Sequence, residues 1–260
     1  MKITIIGGGN MGAAIALGLA AGNIFEAENI YVTDPSQLAI DRIKDANSNI
    51  QAMVGDYSSI ASSDIVLIAV KPWLVQEVLA SVRDELTDKQ IVISIAAGVS
   101  LALLQDYLSK PVPLFRLAPN TAIAVRQSMT FIASVNATDE QEKLVLDVFN
   151  ELGKAEIIKE SLIPAATSLA SCGIAYAFRY IRAAMEGGVE LGLYPVQAKD
   201  IVIQTLRGAI DLLDANNSHP EIEIDKVTTA GGITIKGLNE MEEAGFTAAV
   251  IRGLKASTPK

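Results

Sequence analysis

The sequence contains one cysteine and one histidine, and this scarcity excludes several classes of protein. Cys172 has no second cysteine to pair with, so an intramolecular disulfide is impossible and a reducing compartment is expected. One cysteine and one histidine cannot supply the ligands of an ordinary zinc site, so we expect no metal centre. His219 precedes Pro220 in a polar loop, where we expect a surface residue rather than a catalyst. The sequence also has no P-loop and no nucleophile elbow.

Aromatic and basic residues are also few. Aromatics make up 5% of the 260 residues although half of the chain is hydrophobic, so Ala, Ile, Leu and Val must build the core. With 21 basic and 30 acidic residues and no basic stripe, the chain is not expected to bind nucleic acid. No apolar run approaches the roughly 20 residues of a bilayer span, so we expect a cytoplasmic protein without a membrane segment. The positive mean hydropathy indicates buried parallel strands and an apolar surface that oligomerisation covers.

Short apolar runs alternate with helical periods over the first 160 residues. Near-continuous apolar runs are typical of strands buried on both faces of a parallel sheet, and their alternation with helices predicts right-handed crossovers. The predicted strands are residues 3–6, 30–33, 65–70, 91–95, 114–117, 129–132 and 156–158. The predicted helices are residues 11–21, 36–46, 73–86, 101–108 and 140–152. This order predicts an α/β fold with a doubly wound parallel sheet.

The pattern changes near residue 160, after which no convincing strand follows. Helical periods cover residues 176–191, 196–216, 237–244 and a last segment from 247. We therefore expect two domains, an α/β domain over residues 1–160 and an all-helical domain over residues 161–260. Small residues in the helical domain allow close helix contact: Ala183, Ala184, Gly187 and Gly188. Because residues 196–213 are also more apolar than one short domain needs, we expect a homo-oligomer, at least a dimer, through the helical domain.

A glycine-rich turn follows the first predicted strand and opens the first predicted helix. It has the pattern G-x-G-x-x-G, with Gly7 at the tight turn, Gly9 where the backbone approaches a pyrophosphate, and Gly12 where helix and strand pack closely. Together with Asn10 and Met11, this turn is expected to hold the pyrophosphate at the helix N-terminus. Because the turn lies in a complete β-α-β unit, it identifies the N-terminal domain as a Rossmann domain that binds a dinucleotide.

Two further segments are expected at the same cofactor. Asp34 ends the second strand about 20 positions after the glycine turn, where an acidic residue accepts hydrogen bonds from the adenosine ribose. Its alternative role is the N-cap of the next helix. The segment Ala69-Val70-Lys71-Pro72 follows the strand 65–70 at its carboxyl end, where open α/β sheets bind ligands. Lys71 either faces the cofactor or is a solvated loop charge.

Three segments resemble, in order and spacing, successive signatures of the pyrroline-5-carboxylate reductase family. They are residues 94–100 (SIAAGVS), 116–121 (RLAPNT) and 230–235 (AGGITI). The likeness runs from Lys2 through the C-terminal helices, and residues 217–245 also resemble the family's His-Pro pair, short helix, glycine turn and following helix. The resemblance implies a Rossmann domain followed by an all-helical dimerisation domain. It also implies hydride transfer from NADH or NADPH to the C=N carbon of 1-pyrroline-5-carboxylate, which gives L-proline.

The resemblance also assigns roles to residues of the C-terminal half. The family's carboxylate-binding turn corresponds to Thr229, Gly232 and Ile233, where backbone amides and a hydroxyl can hold an anion. The family's threonine that contacts the ring nitrogen corresponds to Thr234, our candidate catalytic residue, because a hydroxyl there can stabilise the charge that accompanies hydride addition. Tyr176 is a further candidate substrate contact. The structural alternative for the turn is a Gly-Gly helix entry with threonine caps.

The sequence departs from the family pattern in the regions expected near the substrate. Residues 170–176 are ASCGIAY where the family usually has AGSGPAY. Ala230 replaces the usual Pro of the glycine turn, Thr229 replaces Ser, and Ile233 replaces a small residue or Thr. Ala118 replaces the usual Met before Pro-Asn. These departures bear on which imine or carbonyl is reduced and leave the cofactor prediction unchanged.

Two other functions fit the same domain plan. A related imine or carbonyl reductase of the hydroxyacid-dehydrogenase type would use a lysine early in the helical domain. Residues 169–184 contain only Arg179 and Arg182, and arginine cannot donate a proton at neutral pH. A non-catalytic dinucleotide-sensing protein would keep the glycine turn and would not need Thr234. Among the cofactors, NADH is favoured over NADPH because the Asp34 carboxylate would repel a 2′-phosphate. The nearest downstream base that could offset this repulsion is Arg42, one to two helical turns into the next element.

Overall fold

Eight β-strands lie within residues 3–157 of the computed structural model, which describes residues 1–258. They are β1 (Ile3–Ile6), β2 (Ile30–Asp34), β3 (Gln51–Val54), β4 (Ile65–Ile68), β5 (Ile91–Ser94), β6 (Leu114–Ala118), β7 (Ser128–Val135) and β8 (Gly153–Ile157). They form one sheet in the order β3-β2-β1-β4-β5-β6-β7-β8. All neighbours pair in parallel except β6 and β7. The predicted α/β class is confirmed, and the strand order reverses between β1 and β4, where such sheets bind ligands.

Helices cover both faces of the sheet. They are α1 (Asn10–Ala20), α2 (Gln37–Ala46), α3 (Val75–Val82), α4 (Leu101–Leu108), α5 (Asp139–Asn150) and α6 (Ile163–Thr167). The side chains of Ser36, Ser100 and Thr138 cap α2, α4 and α5 by accepting from a backbone N–H in the first turn. These caps explain why three helices begin close to where the sequence predicts.

Two apolar clusters bury the sheet from opposite sides. Successive residues of a strand point to opposite faces, so Ile5 packs in one cluster and Ile6 in the other. All residues of β1, β4 and β5 are buried, which is the reason for their continuous apolar sequences. Each Ile or Leu buried here contributes on the order of 1.5–3 kcal/mol of transfer free energy.

The edges of the sheet differ from the prediction. The sequence analysis missed β3, because it is an edge strand that carries Gln51 and ends at a half-exposed Val54. It also placed the last strand at 156–158, whereas β8 begins at Gly153. Gly153 has φ +140°, and a Cβ there would lie 2.2 Å from the Ser128 carbonyl oxygen. Only glycine can therefore occupy the first position of this strand.

Residues after 172 contain helices only, as far as residue 258, which agrees with the predicted all-helical C-terminal region. They are α7 (Gly173–Glu190), α8 (Pro195–Asn216), α9 (Pro220–Val227), α10 (Ile233–Glu243) and α11 (Phe246–Ala256). The sequence analysis placed no separate helical period at α9 and began α10 at 237. Both missed segments are short, and Pro220 occupies the first position of α9, where it needs no hydrogen-bond partner.

Backbone contacts divide the chain into two units, Met1–Ser171 and Cys172–Lys260. The change of class near residue 160 therefore precedes the division between units, because residues 160–171 belong to the first unit. These residues form a short 3-10 turn, α6 and most of a π-helical turn, Ser168–Cys172. π-helical turns are rare and frequently occur at functional sites.

The second unit buries very little of its apolar surface. Among its described residues, Ala198 is the only hydrophobic residue that is buried. Large apolar side chains are exposed on several helices, including Phe178, Ile210 and Val250. Helices of a globular domain normally bury one apolar face. A single copy of this unit therefore leaves apolar surface uncovered.

One expectation about membranes does not hold as stated. The helical run over residues 160–190 is long and apolar enough to cross a bilayer by length and composition alone. The sequence prediction missed this run because the predicted helix began only at residue 176, which left residues 160–175 outside any predicted element. Length and composition do not distinguish a membrane span from an apolar helix that packs against protein.

Candidate functional site

The glycine turn after β1 has the backbone that a dinucleotide requires. Gly7 has φ +110°, and its N–H donates to the Thr33 carbonyl oxygen at 2.8 Å. A Cβ at Gly12 would lie 1.9 Å from the Gly7 carbonyl oxygen, so helix α1 can start here only with glycine. A Cβ at Gly9 would meet nothing within 4 Å. The space above Gly9 is therefore open to a ligand, while Gly7 and Gly12 are required by the turn itself.

The Asp34 carboxylate is held by two backbone N–H groups, one in the glycine turn and one in the segment that follows β2. Its carboxylate accepts from the Gly8 N–H at 2.7 Å through one oxygen and from the Ser36 N–H at 2.8 Å through the other. The alternative role of Asp34 as a helix cap is wrong, because the Ser36 side chain caps α2. The carboxylate is half-buried at the carboxyl end of β2, with its orientation fixed by these two bonds.

Arg42 reaches back from α2 to the same turn. Its guanidinium donates to the Gly8 carbonyl oxygen at 3.1 Å and to Asn10 Oδ1 at 3.3 Å. The sequence analysis treated Arg42 only as the nearest downstream base. The sequence contained a signal for this contact, because Arg42 lies one and a half turns into the amphipathic helix that follows the strand ending at Asp34.

These elements surround a cleft of about 470 Å³ at the carboxyl ends of β1, β2, β4 and β5. Every predicted cofactor residue except Gly12 lines it: Gly7, Gly9, Asn10, Met11, Asp34, Ala69, Val70, Lys71 and Pro72. Pro35, Leu74 and residues 95–97 complete the wall. Lys71 lines this cleft and takes part in none of the ion pairs formed within residues 1–258. The cleft thus combines the Asp34 carboxylate in a fixed orientation, the Lys71 ammonium without an ion-pair partner among the described residues, and the N-terminus of helix α1.

The segment 116–121 organises the end of the first unit. Asn120 is buried, and its side-chain amide donates to the Ala170 carbonyl oxygen at 3.3 Å. The Ser171 hydroxyl donates to the Pro119 carbonyl oxygen at 3.3 Å. A segment that carries the family resemblance therefore contacts, at the π-helical turn, a segment that departs from the family pattern, and this contact was not predicted from the sequence.

The glycine turn before α10 presents unpaired donors. Gly231 has φ +69°, and the Gly232 N–H donates to the Thr229 carbonyl oxygen at 2.9 Å. No side chain caps α10 among the described residues, so the alternative of threonine caps does not apply. The first N–H groups of a helix have no partner inside it. The Thr229 hydroxyl lies close enough to Gly232 that a Cβ there would be 2.6 Å from Oγ1. An anion can therefore bind at this turn.

Tyr176 lies elsewhere in the second unit. Its hydroxyl donates to Ser257 Oγ at 2.8 Å, next to the Gly253 carbonyl oxygen at 3.2 Å. Its ring lines an apolar cleft of about 580 Å³ together with Ala183, Phe246 and Val250. The structure gives Tyr176 no hydrogen bond to the turn at 229–234, so it does not join the other candidate substrate residues within one chain.

His219 has a structural role. Its side chain accepts from the Glu221 N–H at 3.3 Å and caps α9. Nearby, hydrogen bonds from the Lys226 ammonium and the Ser218 hydroxyl lower the pKa of Glu223 below its ordinary value. These contacts fix the loop before α9, and none of them prepares an acid or a base for catalysis. No group of His, Cys, Asp and Glu within residues 1–258 could hold a metal ion.

Comparison with protein families finds two matches. Residues 160–260 match a family described as pyrroline-5-carboxylate reductase dimerisation, and residues 2–98 match one described as NADP oxidoreductase, coenzyme F420-dependent.

Several relatives match along the whole chain. The chain is 35% identical to pyrroline-5-carboxylate reductase 2 of Dictyostelium discoideum, over 100% of this chain and 91% of that protein. It is also 35% identical to pyrroline-5-carboxylate reductase of Methanosarcina acetivorans, over 97% of this chain and 94% of that one. A 38% identical relative, pyrroline-5-carboxylate reductase 1 of Dictyostelium discoideum, is about twice as long, and the chain spans 49% of it.

Solved structures give the same result. The crystal structure of Plasmodium falciparum pyrroline carboxylate reductase with NADP bound superposes with a TM-score of 0.89 at 28% identity. The match covers 99% of this chain and 95% of that one. The Streptococcus pyogenes 1-pyrroline-5-carboxylate reductase superposes with a TM-score of 0.87 at 30% identity, over 99% and 96% of the two chains.

Proposed function

The chain belongs to the pyrroline-5-carboxylate reductase family, and on that premise we propose that it reduces the C=N bond of 1-pyrroline-5-carboxylate to L-proline. A nicotinamide dinucleotide supplies the hydride. The observation that carries the proposal is the pairing of two sites in one chain. One is a dinucleotide cleft around Gly9 and Asp34, and the other is an uncapped helix start between Thr229 and Thr234.

The residues of the first unit fit the cofactor. The N-terminus of α1 offers unpaired N–H groups and a positive dipole end to the pyrophosphate, and the open space above Gly9 lets the phosphates approach. Asp34 is oriented to accept hydrogen bonds from the adenosine ribose. Ala69, Val70 and Pro72 form the wall after β4 that positions the remainder of the dinucleotide.

The turn before α10 is the proposed substrate site. The Ile233 amide and the Thr229 hydroxyl bind the substrate carboxylate beside Gly232, whose own N–H donates to the Thr229 carbonyl oxygen and holds the turn in shape. During reduction the hydride adds to the imine carbon and the electron pair of the double bond moves to nitrogen, which takes up a proton from solvent. The Thr234 hydroxyl hydrogen-bonds to that nitrogen and stabilises its changing charge. Thr234 forms no hydrogen bond within residues 1–258, so its hydroxyl is available for this role.

We propose NADH as the preferred cofactor. The Asp34 carboxylate cannot turn away from the ribose without losing its bonds to two backbone amides, so a 2′-phosphate would face a fixed negative charge. The Arg42 guanidinium is already bonded to Gly8 and Asn10. Lys71 is the one cation lining the cleft, and it is exposed, so solvent and salt screen its attraction for a phosphate.

The exposed apolar surface of the second unit supports a proposal about assembly. A match to a dimerisation family and exposed apolar helices support a homo-oligomer, and we propose at least a dimer formed through residues after 160. The net charge of −9 does not favour nucleic acid as a partner. We propose that the enzyme works in the cytoplasm and that the helical run 160–190 packs against protein rather than lipid.

Steady-state oxidation of NADH and NADPH in the presence of 1-pyrroline-5-carboxylate tests the function. We expect substrate-dependent oxidation and L-proline as the product. Oxidation with a 2-keto acid but not with the imine would support the carbonyl-reductase alternative. Tight dinucleotide binding without oxidation of either cofactor would support a sensing protein instead.

A further inference from the structure

Trp73 is an exposed aromatic ring that lies in the sequence between two residues of the dinucleotide cleft, although the ring itself does not line the cleft. It is the only tryptophan in the chain, and 75% of its surface is exposed. It lies in a 3-10 turn, Pro72–Leu74, that follows directly after Lys71. Both of its neighbours, Pro72 and Leu74, line the cleft. A large apolar ring left in water next to a ligand site indicates a contact that forms when the ligand binds.

The cleft itself indicates which part of the ligand reaches this turn. The helix start at Gly9 positions the pyrophosphate and Asp34 positions the adenosine ribose, so the base attached to that ribose must occupy what remains of the cleft near Asp34. The lining residues that the loops after β2 and β4 contribute there include Pro35 and Leu74. Residues 95–97 lie at the far end, after β5, and belong to the nicotinamide half.

We propose that Trp73 stacks on the adenine of the bound dinucleotide and is a cofactor-binding residue of this enzyme. The ring forms no hydrogen bond within residues 1–258, so it can rotate onto the base without losing a polar contact. An indole face and a purine face stack well, and the gain is independent of which nicotinamide is attached. The proposal rests on the dinucleotide site of the proposed function and assigns its adenine end.

Fluorescence of the whole chain tests this contact directly, because Trp73 is the only source of tryptophan emission. ADP-ribose is the probe: its adenine does not absorb where tryptophan emits, so quenching requires contact rather than energy transfer. We expect ADP-ribose to quench Trp73 in a saturable way, with the dissociation constant that calorimetry measures on the same sample. Nicotinamide mononucleotide lacks the adenine and should leave the emission unchanged.

Substitutions then measure the contribution of the ring. We expect Trp73→Ala to weaken ADP-ribose binding roughly tenfold and to raise the KM for NADH by a similar factor, as other base-stacking aromatics do. Trp73→Phe keeps an aromatic face and should retain most of the affinity. Val125→Ala is the control, since Val125 is 70% exposed in the same unit and, unlike Trp73, neither of its neighbours in the chain lines the cleft.

Three results would overturn the assignment. In the first, ADP-ribose binds by calorimetry with no change in Trp73 emission, and Trp73→Ala binds it as tightly as the wild type. In the second, Trp73→Ala leaves ADP-ribose affinity intact but shifts the sedimentation coefficient, which would place the ring in a contact between copies. In the third, neither ADP-ribose nor NADH binds, which would refute the proposed function together with this assignment.

Discussion

Thr234 is the catalytic residue that we propose for the reaction. We expect Thr234→Ala to lower kcat/KM for 1-pyrroline-5-carboxylate roughly tenfold to a hundredfold, because it removes a hydrogen bond that contributes about 1–3 kcal/mol in the transition state. The dissociation constant for NADH, measured by fluorescence, should stay the same. Thr234→Ser keeps the hydroxyl and serves as the control. Wild-type kinetics for the alanine variant would transfer the role to another group, with Thr229 as the next candidate.

Asp34 is the residue on which cofactor choice depends. We expect the wild-type enzyme to have the higher kcat/KM with NADH, and Asp34→Asn to reduce that preference by about tenfold, which corresponds to about 1.4 kcal/mol. Asparagine removes the charge and keeps one acceptor oxygen, so it retains one of the two bonds to the Gly8 and Ser36 amides and sets its NH2 group against the other amide. Asp34→Ser removes both and should narrow the preference further, at some cost in stability. A wild-type preference for NADPH would mean that Lys71 outweighs the carboxylate.

The glycine turn and its helix provide a prediction about one structural element. Gly9→Ala should fold normally, because nothing lies within 4 Å of the new methyl group, yet it should weaken NADH binding by obstructing the phosphates. Gly12→Ala should lower the melting temperature as well, since its methyl group would lie 1.9 Å from the Gly7 carbonyl oxygen. Calorimetric melting and NADH titration of both variants separate the two effects. Equal melting temperatures for the two variants would contradict this account of the turn.

At the same scale, the elements that the sequence predicted well are those with one dominant signal. β1, β4 and β5 are buried on both faces, and their apolar runs match their bounds within one or two residues. The failures have physical causes. β3 needs few apolar side chains because it lies at an edge, and β8 begins at a glycine that sequence rules treat as a turn. Neither β3 nor the start of β8 can be located from the sequence until the neighbouring strand is known.

The site shows a similar contrast between local and distant contacts. The residues that line the cleft were predictable because they follow strand ends in order along the chain, and such ends meet at one edge of a parallel sheet. The bond from Arg42 to Gly8 joins residues 34 positions apart, and the bond from Asn120 to Ala170 joins residues 50 positions apart. No periodicity in the sequence reports contacts of this kind, and only the folded backbone shows them.

For the whole molecule, the exposed apolar face of the second unit predicts association. We expect the chain to sediment as a dimer or a larger assembly at micromolar concentration. Val250→Asp should dissociate it, because Val250 lines the apolar cleft beside Tyr176 and a buried unpaired carboxylate costs several kcal/mol. Leu38→Asp is the control, since Leu38 is 80% exposed in the first unit. A stable wild-type monomer, or equal effects of the two variants, would contradict assembly through the second unit.

The near absence of buried residues in the second unit, where Ala198 is the only buried hydrophobic among those described, has a kinetic consequence. The first unit has its own core on both faces of the sheet and should refold in a unimolecular step whose rate is independent of dilution. In the proposed assembly, the helices after 172 gain further burial only when two chains meet, so their final consolidation should be second order. After dilution from denaturant, the NADH-binding signal should return at one rate at every protein concentration. Recovery of activity should accelerate in proportion to the amount of chain present.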